Sequence, residues 1–197
     1  MCNKLKLIKM NHMKTRVYVS LMVLLAMPLI LFTSCNKVKE LTAVDVSMKI
    51  PTQHFTYTGT GLKTNEVILY SGIIRINLDS VCNYYGFPSG IIQNTYFTYL
   101  AVTIESPPDS TFNWLSSMRA TVADNPAFTT ENEVGSVTNS NPLAKTVVVT
   151  LNNVNIRPYL SSPSFYVRVY GVLNGPLPAV TVGMFLNGNV QFRVEPI

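Results

Sequence analysis

The sequence predicts an all-β protein, specifically a single immunoglobulin-like two-sheet β-sandwich of about seven strands with one short helix. Apolar residues alternate with other residues along most of the chain, and β-branched and aromatic side chains are frequent. The sequence shows no stripe with the 3.6-residue period of a long helix. Turn signals separate the alternating segments without the rhythm of βαβ units, which favours two packed antiparallel sheets.

The first strand candidate runs from Val44 to Ile50 and is ended by Pro51, and the polar segment 52–65 is interpreted as a loop or irregular edge. In "EVILYSGIIRINLD", residues 66–79, the apolar positions share one parity, which predicts a strand with one buried face. Gly72 is expected to bend this strand or to form a bulge.

The predicted helix lies in "DSVCNYYGFPSG", residues 79–90. Asp79 can cap it, and Gly86 and Pro88 stop it. Cys82 falls on the apolar side of this helix, so we expect it to be a small buried residue.

Further strands are predicted in "TYFTYLAVTIE", "SMRATVAD", "KTVVVTLNNVNI", "SFYVRVYGVL" and "AVTVGMFLNGNVQFRV". A parity change predicts a bulge near Asn152 and Asn153, and the turn 174–178 predicts a hairpin. In the last segment, Asn187-Gly188 resembles a hairpin turn, but the constant parity of its apolar residues favours one continuous strand.

The N-terminus has the pattern of an export signal. Five basic residues precede an almost wholly apolar run from 17 to 32, and this run is short for a membrane-spanning helix. An uncleaved N-terminal anchor helix is the alternative, and translation could begin at Met1, Met10 or Met13. Under either interpretation we expect the rest of the chain to leave the cytoplasm.

Leu31-Phe32-Thr33-Ser34-Cys35 resembles the lipobox of bacterial lipoproteins. The resemblance implies cleavage before Cys35 and attachment of diacylglycerol to its sulfur. It divides the chain into a cleaved signal peptide (1–34), the lipidated cysteine with a tether (35–42) and a β-sandwich domain (43–197). Two or more acyl chains are sufficient for a stable membrane anchor.

The charge of the mature chain argues against a nucleic-acid partner, and its cysteine content argues against an intrachain disulfide. Of the 15 basic residues, five lie in the leader, and all 10 acidic residues follow Cys35, so the mature chain is formally neutral. It has no basic cluster, which argues against nucleic acid as a partner. Cys82 is the one remaining thiol, so we expect no intrachain disulfide.

The lipobox, together with "INLDSV", "TFNWLSSM", "VNIRPYL", "FYVRVYGVLN" and the alternating final strand, resembles the small, largely uncharacterised β-sandwich lipoproteins of Bacteroidota. The tether Asn36-Lys37-Val38-Lys39-Glu40 is a poor match to the acidic export signal of their surface lipoproteins, which favours the periplasmic face of the outer membrane. Asp79-Ser80-Val81 and Asp109-Ser110-Thr111 resemble the O-glycosylation sites of these bacteria, with Ser80 and Ser110 as the acceptors.

The residues give little support to catalysis, to a metal site or to a cofactor. A Cys-His hydrolase would have to use Cys82 and His54, the only such residues of the mature domain apart from the lipidated cysteine. Zinc requires more ligands of these types than the domain offers. Glu131 and Glu133 form the one close pair of carboxylates, and their polar surroundings indicate a solvated loop. We therefore expect a protein that is not an enzyme and needs no metal or cofactor.

Binding is the remaining class of function. Tyrosine and asparagine side chains are abundant, a combination that β-sandwich carbohydrate binders use, although packing within the core is the simpler explanation for most of them. Trp114 is the best single candidate for a ligand platform, with the alternative that Phe112, Trp114 and Leu115 close one end of the sandwich. We expect a lipid-anchored module that binds an envelope protein or a glycan, and the alternative is a structural subunit or spacer of a pilus-like envelope assembly.

Overall fold

The structure, a computed structural model, describes residues 43–59, 66–76, 78–86, 92–160, 164–174 and 180–194. Within these residues, ten strands and one α-helix form a compact unit that runs from Val44 to Val194. The strands are β1 (Val44–Lys49), β2 (Gln53–Tyr57), β3 (Glu66–Arg75), β4 (Ile92–Ser106), β5 (Leu115–Ala123), β6 (Asn132–Thr138), β7 (Thr146–Val148), β8 (Thr150–Leu151), β9 (Ser164–Leu173) and β10 (Val182–Val194). The helix α1 spans Leu78–Tyr85 between β3 and β4, and a 3-10 turn spans Arg157–Leu160.

The strands form two five-stranded antiparallel sheets. Sheet A has the order β1-β10-β4-β7, with β2 also paired to β10, and sheet B has the order β3-β9-β5-β6-β8. The apolar sides of both sheets face each other, and the core between them includes Leu100, Phe165 and Phe192, each with none of its surface exposed. The expected all-β sandwich of two sheets with one short helix is confirmed.

Two long strands are each interrupted, so that each of them is present as a pair of shorter strands. β1 and β2 pair with successive parts of β10, and β7 and β8 are separated by Val149 alone while they pair in different sheets. Counted in this way the chain has eight strand segments, in which the first pairs with the last, the second with the seventh, the third with the sixth and the fourth with the fifth. This nested pairing, folded over into two sheets, is a jelly-roll arrangement, which refines the expected immunoglobulin-like order and the expected count of about seven strands.

The connection from β9 to β10 differs from the expected hairpin. β9 belongs to sheet B and β10 to sheet A, so the chain crosses from one sheet to the other after Asn174. A local turn signal cannot distinguish a hairpin from such a crossing, because both need the chain to reverse within a few residues.

Two segments expected to be loops contain strands. β2 lies within the predicted loop 52–65, and residues 60–65 of that loop fall outside the described residues. Glu133 lies in β6, which corrects the expected loop for this residue, whereas Glu131 lies in the loop that directly precedes β6. Both strands are polar on one side, so their composition does not indicate a strand. Hydrogen bonds to β10 and to β5 stabilise β2 and β6 respectively.

The expected irregularities occur at other positions. In β3 the register shifts between Ile68 and Tyr70, whereas pairing passes through Gly72 without a shift. Because of this shift, Leu69, Tyr70 and Ile74 are buried while Ile68 is 51% exposed. The predicted break near Asn152 and Asn153 is not a bulge: the strand has already ended at Leu151, and Asn153 adopts a left-handed conformation with φ 52°.

The helix and the final strand agree with expectation. Cys82 is buried in α1, and Gly86 follows the helix with φ +72°, the conformation of a glycine C-cap. β10 is continuous through Asn187 and Gly188, and Met184, Leu186 and Val190 are all fully buried on one side of it.

Candidate functional site

The outer face of sheet A carries rows of polar side chains across three neighbouring strands. In one row, Ser47 of β1 lies opposite Gln191 of β10, which in turn lies opposite Tyr96 of β4. In the next row, Asp45 lies opposite Arg193. The residues between these positions point into the core, so the alternation of the strands places the polar side chains together on the outside.

A break in the pairing of β4 forms a groove beside these rows. β7 pairs with β4 only from Ala101 to Thr103, after which the backbone N–H of Val149 donates to the carbonyl of Leu100 over 2.9 Å. The chain returns to β4 at Thr95, whose N–H donates to Oδ1 of Asn155 over 3.0 Å. Between these two attachments the chain separates from β4, and the opening left there is the groove.

This opening, which we call the sheet A groove, has a volume of about 770 Å³. It is lined by Asp45, Tyr96, Phe97, Thr98, Val149, Leu151, Asn153, Gln191 and Arg193. Phe97 and Val149 are buried and form an apolar base, while the remaining polar side chains stand around it. An apolar surface with a few polar groups of fixed position is the usual composition of a small-molecule site.

The polar groups of the sheet A groove have unused hydrogen-bonding capacity. Among the described residues, the side chains of Asp45, Tyr96 and Gln191 make no hydrogen bond with another part of the protein. The amide of glutamine can donate and accept at the same time, the carboxylate accepts only, and tyrosine combines a flat apolar ring with a hydroxyl. This set fits a ligand that presents both hydroxyl groups and apolar C–H surface.

A second groove, of about 600 Å³, lies on the outer face of sheet B, but its charged groups already bind one another. Arg119 donates to both carboxylate oxygens of Glu66, over 2.6 and 2.8 Å, and its guanidinium lies 3.8 Å from the centre of the Tyr170 ring. This hydrogen bonding lowers the pKa of the Glu66 carboxyl, against the opposing effect of its partial burial. Because these groups are satisfied internally, the second groove is the weaker candidate.

The network on sheet B continues to the loop between β5 and β6. Glu131 accepts hydrogen bonds from the hydroxyls of Thr121, over 3.0 Å, and Tyr170, over 2.9 Å. Arg168 lies 3.8 Å from the ring centre of Phe128, which has a positive φ of 53°. Glu131 therefore attaches this loop to sheet B through two hydrogen bonds.

Trp114 is not exposed, which corrects the expectation that it is a ligand platform. Only 1% of its surface is accessible, and its ring stacks on Tyr57 with 5.1 Å between ring centres. Phe112 and Leu115 are buried as well. The structure thus agrees with the alternative in which these residues close one end of the sandwich.

The predicted modification sites Ser80 and Ser110 do not line the sheet A groove. Cys35 lies outside the described residues. Ser80 is exposed on α1, and Ser110 is half-buried in the connection between β4 and β5. Both serines therefore remain predicted acceptors.

Cys82 and His54 occupy separate places. Burial is the main effect that raises the pKa of the Cys82 thiol, followed by the charge of Asp79, so the thiol is protonated and a poor nucleophile. His54 lies on β2, where its Nδ1 is 3.0 Å from Glu105. The structure does not bring the pair together, and no group of three or more potential metal ligands occurs among the described residues.

The sheet A groove was not found by sequence reasoning. Tyr96 belonged to the general set of tyrosines. Asp45 lies about 150 residues before Gln191 and Arg193 in the sequence, and it meets them only because the first strand pairs with the last. The signal that could have identified them is the outward parity of each residue within its strand. That signal becomes useful only when the strand order is known.

Comparisons with known proteins identify no family for this chain. The sequence matches no protein-family model and no curated protein. Among solved structures it is similar to Desmodium yellow mottle tymovirus, with 15% identity, a TM-score of 0.29, and coverage of 79% of this chain and 84% of that one. It is also similar to the decameric BFDV capsid protein, with 10% identity, a TM-score of 0.32, and coverage of 76% of this chain and 100% of that one.

A third similar structure is the VP2 subviral particle of infectious bursal disease virus, with 10% identity and a TM-score of 0.31. That match covers 78% of this chain and 33% of the viral chain. These TM-scores are too low to carry an argument about function. Among the described residues, no helix is long and apolar enough to cross a membrane.

Proposed function

We propose that this chain is a lipid-anchored binding module of the bacterial cell envelope that holds a glycan in the sheet A groove and catalyses no reaction. The observation that carries the proposal is the groove itself. It combines a half-exposed tyrosine, an amide and a carboxylate over an apolar base, and its volume of about 770 Å³ lies within the range of small-ligand sites.

A sugar ring matches this set of side chains. Its hydroxyls can donate to Asp45 and both donate to and accept from Gln191, while its apolar C–H face can lie on the ring of Tyr96. These three side chains keep their hydrogen-bonding groups available, in contrast to Arg119 and Glu66 on sheet B. Jelly rolls include lectin domains, but the fold alone does not establish the function.

The lipid anchor is supported by the sequence around Cys35. A basic segment, an apolar run and a cysteine in a lipobox-like context occur in the order that export and lipidation require. We place the domain at the periplasmic face of the outer membrane, because its tether carries Lys37 and Lys39 with Glu40 as its one acidic residue, rather than an acidic run after the cysteine. A C-terminal tag should then resist protease added to intact cells, and cleavage of that tag would contradict this location.

The glycan site can be tested by titration of the full chain, purified in detergent, with neutral, acidic and amino-sugar oligosaccharides. We expect at least one class to bind, and we expect Tyr96→Ala and Gln191→Ala to weaken that binding by about tenfold or more, as is usual when a central contact is removed. Isothermal titration calorimetry measures both affinities directly.

Tyr99→Ala is the matched control for Tyr96→Ala. Tyr99 lies on the same strand and is also half-buried, but it does not line the groove. Its loss should leave the affinity unchanged. If no sugar of the three classes binds, or if the Tyr96 and Tyr99 variants behave alike, the proposed glycan site is wrong.

A structural role in an envelope assembly is the second candidate, and β3 favours it. This strand of ten residues is at the edge of sheet B, pairs only with β9 among the described strands, and exposes Ile68. A long edge with an exposed apolar residue can accept a strand from another chain. Purification of the chain in fixed stoichiometry with an envelope protein would favour this function, whereas a monomer that binds sugar would favour the first.

A further inference from the structure

Helix α1 and the beginning of β1 lie at the same end of the sandwich. Val44 pairs with Val194, which pairs with Ile92, the first residue of β4. Nε of Arg157, in the 3-10 turn before β9, donates to the carbonyl of Ile92. The start of β9 pairs with the end of β3, Ser164 opposite Arg75, and α1 follows directly after that end. These contacts place the helix beside the residues where the domain begins, and we call this region the α1 end.

The α1 end exposes a pair of aromatic rings. Tyr84 is 84% exposed and Tyr85 is 47% exposed, and their rings pack edge to face with 5.0 Å between centres. Cys82, together with the partly buried Leu78 and Val81, packs the first part of the helix on the core. Tyr84 and Tyr85 follow in its last turn, where both rings remain exposed although Tyr85 lies on the same face as Leu78 and Cys82.

The position of the lipid-bearing cysteine limits how far this end can be from the membrane. Cys35 precedes Val44 by nine residues, and a fully extended chain of that length spans about 30 Å. β4, with 15 residues, is about 50 Å long, so the opposite end of the sandwich lies much farther from the point where the tether joins.

We propose that the α1 end faces the membrane and that Tyr84 and Tyr85 insert their rings into the headgroup region of the bilayer. Tyrosine suits that region because its ring is apolar and its hydroxyl remains hydrated. This inference rests on the proposed lipid anchor at Cys35. It adds an orientation, in which the sheet A groove opens to the side of the domain, with Asp45 and Arg193 at the end of the groove nearer the membrane.

Charge does not drive this contact. Arg75 and Arg157 at the α1 end are accompanied by Asp79 and Asp45, so neither sign dominates there. The contact of the domain therefore depends on the aromatic rings, and any attraction to anionic lipid comes from Lys37 and Lys39 of the tether. The opposite end also exposes apolar side chains, Leu143 and Val180, but the tether does not begin there.

Tryptophan fluorescence with brominated lipids can test the orientation. The sequence has one tryptophan, Trp114, which is buried at the opposite end, so the unmodified chain provides its own background. The full chain is purified from membranes and reconstituted into phosphatidylcholine vesicles with or without bromine on the acyl chains. Tyr84→Trp is compared with Leu143→Trp, a substitution at a side chain of similar exposure at the other end.

We expect brominated lipid to quench the added emission of Tyr84→Trp and to leave Leu143→Trp and the unmodified chain unchanged. Flotation of the vesicles in a density gradient reports separately whether the chain is anchored. If the chain does not float, the proposed anchor fails and the orientation fails with it. If the chain floats but Tyr84→Trp is quenched no more than Leu143→Trp, the orientation alone is wrong.

Discussion

Arg119 joins three strands of sheet B through its own side chain. It extends from β5 over Tyr170 of β9 and reaches Glu66 at the start of β3, with Glu131 a further 3.8 Å contact. The fork of the guanidinium matches the two carboxylate oxygens of Glu66, which a lysine could not do. At the scale of residues, this contact gives the protein a defined dependence on pH.

Because the folded-state pKa of Glu66 is lowered, its ion pair stabilises the fold at pH values above the ordinary carboxyl pKa. That contribution is lost as the pH falls through the lowered folded-state value. We expect Glu66→Gln to reduce the free energy of unfolding at pH 7 by about 0.5 to 1 kcal/mol, the range for a well-aligned but partly exposed pair. Urea unfolding of both proteins at neutral and at acidic pH measures the difference.

At acidic pH the two proteins should become equally stable, because the glutamate is then neutral too. Glu133→Gln is the control. Glu133, like Glu66, lines the groove on the outer face of sheet B, but it forms no ion pair within the described part of the chain. A difference between Glu66→Gln and the unmodified protein that is the same at both pH values would contradict the role of the ion pair.

Individual residues were predictable where burial follows from local pattern. Cys82 could be assigned to the buried side of α1 because the spacing of Leu78, Val81 and Cys82 defines one side of a helix. Trp114 could not be assigned in this way, since it lies in a loop, and whether a loop residue is exposed depends on how the chain crosses the end of the sandwich.

The passage from β7 to β8 is the element that closes the sandwich on one side. The chain leaves sheet A after Val148 and enters sheet B at Thr150, where it pairs with Gly135 and Ser136 of β6. The backbones approach closely at this corner. A Cβ atom at position 135 would lie 2.3 Å from the carbonyl oxygen of Thr150, so this position requires glycine.

We therefore expect Gly135→Ala to lower the free energy of unfolding by about 1 to 3 kcal/mol, because the backbone of β8 has to move to relieve the overlap. Ser136→Ala, at the exposed neighbouring position, should change the stability by less than about 0.5 kcal/mol. Thermal unfolding of the two variants tests this. Equal stability of the alanine variants would show that the close contact between β6 and β8 is absent.

Strands could be predicted from the sequence where the apolar alternation is long. The prediction failed for short polar strands, which are stabilised by pairing with a neighbouring strand. β10 could be predicted as one strand because its apolar parity does not change across Asn187-Gly188. β2 and β6 could not, since they are short and mostly polar and are stabilised by hydrogen bonds to β10 and β5. Whether a short polar segment forms a strand depends on its tertiary contacts.

The described domain, from Val44 to Val194, is a jelly roll in which the strand order sets the position of the groove. The sheet A groove needs β1 beside β10 and a gap between β4 and the segment after β7, and neither feature has a local signature in the sequence. The class of fold could be predicted because alternation and short spacing are general properties of sandwiches. The position of the groove could not, because it depends on which strands become neighbours.

We propose that the sandwich is a domain held at a membrane through Cys35. Its two sheets bury a continuous core, and Cys82 is a free buried thiol, so burial rather than a disulfide within the domain stabilises the described fold. The tether then fixes which end of the domain approaches the membrane. The proposed location and the proposed orientation both depend on this anchor, whereas the glycan site depends on the groove alone.

The lipid anchor can be measured as the intact mass of the full-length protein purified from membranes. We predict a chain that begins at Cys35 and carries the added mass of diacylglycerol and an amide-linked acyl group, with both lost in Cys35→Ser. Additional mass of sugar residues that disappears in Ser80→Ala or Ser110→Ala would identify the predicted O-glycosylation sites, and its absence would remove them. A mass that corresponds to an uncleaved leader, or to a chain without lipid, would contradict the account.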